Sequence, residues 1–143
     1  MDRRSILRIG AATGASVIGS ATIPGLVFAA ERFGELQTPL AGSIFYTKER
    51  PGRWAKKVAG HLPVVEQRGD RIRVTTRHPM TGYKHYIIKH MLLDENFKFV
   101  REKVFDPGAD KPVSEYDISG LKRQLYAVSM CNLHDNWVSV LAL

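Results

Sequence analysis

Beyond residue 29 no helical periodicity lasts three turns, and that decides the fold class. Arg71-Ile72-Arg73-Val74-Thr75-Thr76 alternates polar and apolar side chains at a period of two, the pattern of a half-buried strand. Val64-Val65-Glu66 precedes it across Arg68-Gly69-Asp70, a turn signal. Tyr86 to Leu93 is a longer β-favouring run that ends at Asp94-Glu95-Asn96. Phe97 to Phe105 alternates again, with Val100 and Val104 on shifted parity. Residues 106–120 hold two prolines and two glycines and read mostly as loop, with a short strand around Val113–Tyr116. Leu125 to Met130 and Trp137 to Leu143 supply the last strands. Short strands separated by turn signals predict an all-β antiparallel sandwich.

The 143 residues allow one domain of ordinary size, and the start does not read as part of it. Arg3-Arg4 and Arg8 precede a weakly apolar run from Ile9 to Ala30, rich in small residues and holding four glycines and Pro24. That is the layout of a signal peptide, residues 1–29, with a cut after Ala29 in Val27-Phe28-Ala29. The glycines, Pro24 and five hydroxyl side chains dilute the segment below what a stable membrane span needs. The arginine pair resembles the start of a twin-arginine signal, which exports folded proteins. The expected location is therefore periplasmic or otherwise exported, with membrane contact only during export. Residues 30–53, broken by Pro39, Gly42, Pro51 and Gly52, read as a leader, and 54–143 as the functional domain.

Cutting after Ala29 removes three basic and one acidic side chain, so the net charge falls from +7 to +5. The charges are scattered, with no block of five or six, and export argues against a nucleic-acid partner. A small anionic substrate suits such a surface better.

Cys131 is the only cysteine, so no internal disulfide forms, and an exported lone thiol oxidises unless it is buried or metal-bound. Four of the five histidines stand at strand ends or in loops. His61 precedes the first strand, His78 follows the second, His85 opens the third, and Cys131-Asn132-Leu133-His134 fills the turn between the last two. Strand ends can converge at one end of a sandwich, where a site is assembled from distant segments. Imidazole with thiolate suits iron, copper or zinc rather than magnesium or calcium.

The strings His61-Leu-Pro-Val-Val, His78-Pro-Met, His85-Tyr-Ile and Cys131-Asn-Leu-His134 resemble, in order, the iron-binding segments of the superoxide reductases of the desulfoferrodoxin/neelaredoxin type. The likeness runs from about Trp54 to the end of the sequence. It implies an immunoglobulin-like β-sandwich that holds one ferrous iron per chain. His61, His78, His85 and His134 would be planar ligands and Cys131 the axial, catalytically tuning one, with the opposite axis open. The implied reaction is one-electron reduction of superoxide to hydrogen peroxide. The family's second, rubredoxin-like centre needs four cysteines and is absent. An external electron donor such as a rubredoxin-like protein would therefore re-reduce the iron. The likeness leaves the number of subunits open, a homo-oligomer included.

The sequence departs from the family at two places within the domain. Where the family often has Glu-Lys directly before the first histidine, this chain has Ala59-Gly60, and Lys56 or Lys57 are the nearby candidates for the positive charge. His78 and His85 stand seven apart, one more than the family's usual spacing, so the Thr81-Gly82-Tyr83 loop must absorb a residue. His90, five beyond His85, would point to the other face of a regular strand and away from the metal. Trp137 reads as core or as a wall beside the site, and Pro79 as the residue that fixes the loop after His78. The alternative to the enzyme is an exported, non-catalytic module that binds iron or another metal.

Overall fold

The computed structural model describes residues 40–143; the expected signal peptide and residues 30–39 of the leader lie outside the described residues. Eight strands follow in chain order: β1 Phe45–Tyr46, β2 Val64–Arg68, β3 Arg71–Thr75, β4 Ile87–Leu93, β5 Phe99–Val104, β6 Val113–Asp117, β7 Gln124–Cys131 and β8 Asp135–Ala142. They form a five-stranded sheet, β1-β8-β7-β4-β5, and a three-stranded sheet, β2-β3-β6. All pairs are antiparallel except β1 with β8, which is parallel.

The period-two pattern places the core. On β3, Ile72 and Val74 are buried while Arg71 and Arg73 face solvent. They pack with Tyr116 of β6, Leu92 of β4 and Leu125 and Ala127 of β7, so this cluster lies between the two sheets. The alternate residues of β7, Tyr126 and Val128, are also buried and cluster with Val138 of β8 on the other face of the larger sheet. A strand with apolar residues on both faces reads as a continuous apolar run, which is how Leu125 to Met130 reads in the sequence.

Two features depart from the sequence-based expectation. Residues 52–61 are helical: a 3-10 stretch, Gly52–Lys57, runs into one α-turn, Val58–His61, so His61 ends a short helix rather than sitting in a loop. Such a segment is too short for periodicity to register. His85 stands outside β4, which begins at Ile87. The amide of Thr81 donates to the carbonyl of His85 at 2.9 Å, and Gly82 takes φ +55° within a 3-10 turn, Gly82–Lys84. That turn absorbs the extra residue between His78 and His85.

Register brings the candidate residues to one end. Val64 pairs with Thr75, so the start of β2 meets the end of β3. Ile87 pairs with Cys131 and Cys131 with Asp135, so the start of β4, the end of β7 and the start of β8 are neighbours.

Candidate metal centre

All five expected ligands, His61, His78, His85, Cys131 and His134, come together there, with one donor atom from each lying within 4.8 Å of every other. Four are buried and His85 is half-buried. The His134 Nδ1 atom lies 2.9 Å from His61 Nε2 and 3.0 Å from His85 Nε2, and His85 Nε2 lies 3.1 Å from His78 Nε2. The Cys131 Sγ atom is 3.6 Å from His134 Nδ1.

These spacings test what the cluster can hold. Each ring nitrogen offers one proton or one lone pair, so at most two of the three contacts along this chain of four nitrogens can be hydrogen bonds. Four lone pairs aimed at a shared cation account for all three. Nitrogens about 2.05 Å from a common centre are about 2.9 Å apart on a square and about 3.3 Å apart on a tetrahedron. The observed 2.9, 3.0 and 3.1 Å follow the square. Five donors, four imidazole nitrogens and one sulfur, are one more than a tetrahedral structural zinc takes, and they fit a metal of higher coordination number that accepts imidazole and thiolate together.

The electrostatics agree. Burial pushes His61 down to about 4, with the neighbouring histidines adding to the effect. Burial first lowers His78, His85 and His134 as well; the positive charge of Lys57 comes next at His85 and His134, and at His78 the neighbouring His85 comes next with Lys57 a smaller contributor. Neutral imidazoles are the form that binds metal. Burial raises the Cys131 thiol, so the thiolate needs a cation beside it.

Surrounding residues orient the donors. His61 Nδ1 stands 3.0 Å from the Lys57 carbonyl, which can accept only if Nδ1 carries the proton and leaves Nε2 free for metal. The Trp54 ring meets His134 edge-on at 4.6 Å, and Trp54 Nε1 donates to Asp135 at 2.8 Å, with Arg53 bonded to the same carboxylate. Trp137 is fully buried and donates from Nε1 to the His134 carbonyl at 2.9 Å, so it is both core and wall. Pro79 is exposed.

Asn132 is the residue sequence reasoning passed over. Its Oδ1 accepts from the Tyr86 amide at 3.0 Å, its own amide donates to the Tyr86 carbonyl at 3.2 Å, and its Nδ2 donates to the Lys84 carbonyl at 3.2 Å. It ties the Cys131–His134 turn to the loop bearing His85. The available signal was an asparagine inside a turn, where its side chain commonly bonds backbone. His90 lies elsewhere, in the core between the sheets, 2.9 Å from Thr76 Oγ1 and 2.8 Å from Ser114 Oγ.

A two-sheet sandwich gathering four imidazoles and one thiolate at its strand ends defines a mononuclear non-haem metal protein. The desulfoferrodoxin family model matches residues 53–140, and the chain belongs to that family. A variant of the superoxide reductase (neelaredoxin) from Ignicoccus hospitalis is 25% identical, with 76% of this chain and 98% of that one covered and a TM-score of 0.63. A second structure of the Ignicoccus hospitalis protein gives 26%, 71%, 95% and 0.59 for the same quantities. The single-iron superoxide reductase from Giardia intestinalis is 25% identical over 59% of this chain and 98% of that one, with a TM-score of 0.52. No curated protein matches the chain significantly.

Proposed function

We propose that this protein is a superoxide reductase, an oxidoreductase that converts superoxide to hydrogen peroxide at one non-haem iron per chain. The observation that carries the reading is the convergence of donor atoms from His61, His78, His85, His134 and Cys131 within 4.8 Å of one another in a member of this family. His61, His78, His85, His134 and Cys131 would hold the iron, with the Cys131 thiolate the ligand that tunes it. Ferrous iron held there would supply the one electron that the reduction needs. One electron and two protons turn superoxide into hydrogen peroxide, and solvent supplies the protons.

The chain's own residues do the rest. Four neutral imidazoles leave the metal's charge uncancelled, so the centre attracts an anion. Lys57 adds to that field; its charge reaches His78, His85, His134 and Cys131, which makes it the better of the two nearby candidates for the missing family lysine. The Cys131 thiolate donates electron density, and the Leu133 amide, 3.5 Å from Sγ, moderates that donation.

Residues 1–29 act as a twin-arginine-type export signal on this reading, placing the mature protein in the periplasm or outside the cell; Arg3-Arg4 and Val27-Phe28-Ala29 support it. A homo-oligomer built on the outer face of the larger sheet suits its apolar groove, about 390 Å³ and lined by Phe45, Met91, Tyr126 and Met130 among others.

The test is a spectrum followed by an assay. Iron-loaded, oxidised protein should show a ferric-thiolate charge-transfer band that Cys131→Ser abolishes. The reduced protein should consume superoxide faster than free iron does. A band without superoxide consumption would leave the non-catalytic metal module as the function.

A further inference from the structure

Each superoxide consumed takes one electron, and with a single cysteine the chain cannot build a four-cysteine iron centre to supply it. The electron must come from another molecule, and the ligand loops show where that molecule can sit. Tyr83, in the turn before His85, is 76% exposed, and Leu133, inside the Cys131–His134 turn, is 54% exposed. Both are large apolar side chains held open in the loops that carry His85, Cys131 and His134, and together they make an apolar patch beside the candidate site. The two belong to one surface, because Asn132 bonds the carbonyls of Tyr83, at 3.5 Å, and Lys84, at 3.2 Å. Tyr86 joins them, its ring edge-on to Tyr83 at 5.8 Å.

We propose that an acidic one-electron carrier protein docks on the surface formed by Tyr83, Lys84, Tyr86 and Leu133 and passes its electron inward through the Cys131–His134 turn. This rests on the superoxide reductase reading above. The path inward is short: the residue whose side chain the carrier would cover is the one whose amide lies 3.5 Å from Cys131 Sγ. The charge favours an acidic partner. Segments 77–86 and 131–134 contain Arg77 and Lys84 and no carboxylate, and both cations are exposed. Asp135, the next residue, is occupied by Arg53 and Trp54. An apolar centre beside the exposed Lys84, with no carboxylate in either loop, gives a partner contact area and orientation together. In the transfer the carrier is oxidised by one electron and the ferric centre is reduced to ferrous; no bond forms or breaks and no proton moves.

The experiment uses rubredoxin as the probe, a small acidic one-electron carrier. Amide shifts of zinc-loaded, nitrogen-15-labelled protein are followed as zinc-substituted rubredoxin is added. They should cluster on residues 83–86 and 132–134 and fade with added salt. In stopped flow, the Tyr83→Ser/Leu133→Ser double variant, loaded with ferric iron, should accept electrons from reduced rubredoxin at least about tenfold more slowly. Lys84→Glu, which changes charge and leaves the apolar contacts, should slow it by about threefold. Reduction by dithionite and the single-turnover reaction of the pre-reduced, uncharged double variant with superoxide should stay as in the wild type. Shifts clustered elsewhere, or a double variant reduced by rubredoxin at the wild-type rate, would overturn the docking surface. A pre-reduced wild-type protein that leaves superoxide untouched would overturn the enzyme reading itself, and the docking proposal with it.

Discussion

Burial lifts the Cys131 thiol, while a bound cation and the Leu133 amide stabilise its thiolate, so the ionic state of this one atom depends on the metal. Lys57 acts at longer range. It is exposed, and its charge bears on three of the four imidazoles. Lys57→Glu should therefore lower the second-order rate with superoxide by about threefold to tenfold and weaken its dependence on ionic strength, since a steering charge works before contact. Pulse radiolysis at several salt concentrations measures both. Lys56→Glu, changed in parallel, should have the smaller effect, because Lys57 is the lysine whose charge bears on His85 and His134.

At the scale of elements, the site is a set of strand ends held in register by side chains that are not ligands. Asn132 ties the Cys131–His134 turn to the His85 loop through bonds at 3.0 and 3.2 Å. Asn132→Ala removes them and should cost about 1–3 kcal/mol, read as a lower melting temperature, with a broadened ferric-thiolate band as the two loops lose registry. Strands β2 to β8 were legible in the sequence because β3 alternates cleanly and Gly69, Asp94 and Gly120 punctuate the chain, whereas β1, two residues inside the expected leader and parallel to β8, is too short to leave a pattern. The five ligands were legible too, since imidazole and thiolate stand at strand ends in a family-like order. The helix ending at His61 was not, because a single α-turn leaves no periodicity. Nor was the Asn132 tie, which depends on which loop lies across from it, a fact fixed by the β4–β7 register and not by neighbours in sequence.

At the scale of the whole molecule, stability depends on a histidine with no part in the chemistry. His90 is fully buried between the sheets, bonded to Thr76 and Ser114, and burial pushes it down to about 4 from an ordinary 6.5. Above pH 6.5 it is neutral in both folded and unfolded chains and contributes no pH dependence. Between 6.5 and 4 the unfolded chain takes up the proton and the native state does not, so stability falls as pH falls. For metal-loaded protein the loss from pH 7 to pH 5 should be roughly 2 kcal/mol from this group, read from denaturant midpoints. A His90→Gln variant should be less stable at pH 7 and flatter across that window.

The ligands come from four separate segments, from His61 at the head of β2 to His134 at the head of β8. A single ion therefore fastens together stretches of backbone that a protease could part. A cut in the exposed loop at Gly108–Ala109 would leave His61, His78 and His85 on one piece and Cys131 and His134 on the other. Loaded with metal, the nicked protein should run as one species under native conditions; a chelator should loosen it, leaving only the strand pairing to keep the pieces together.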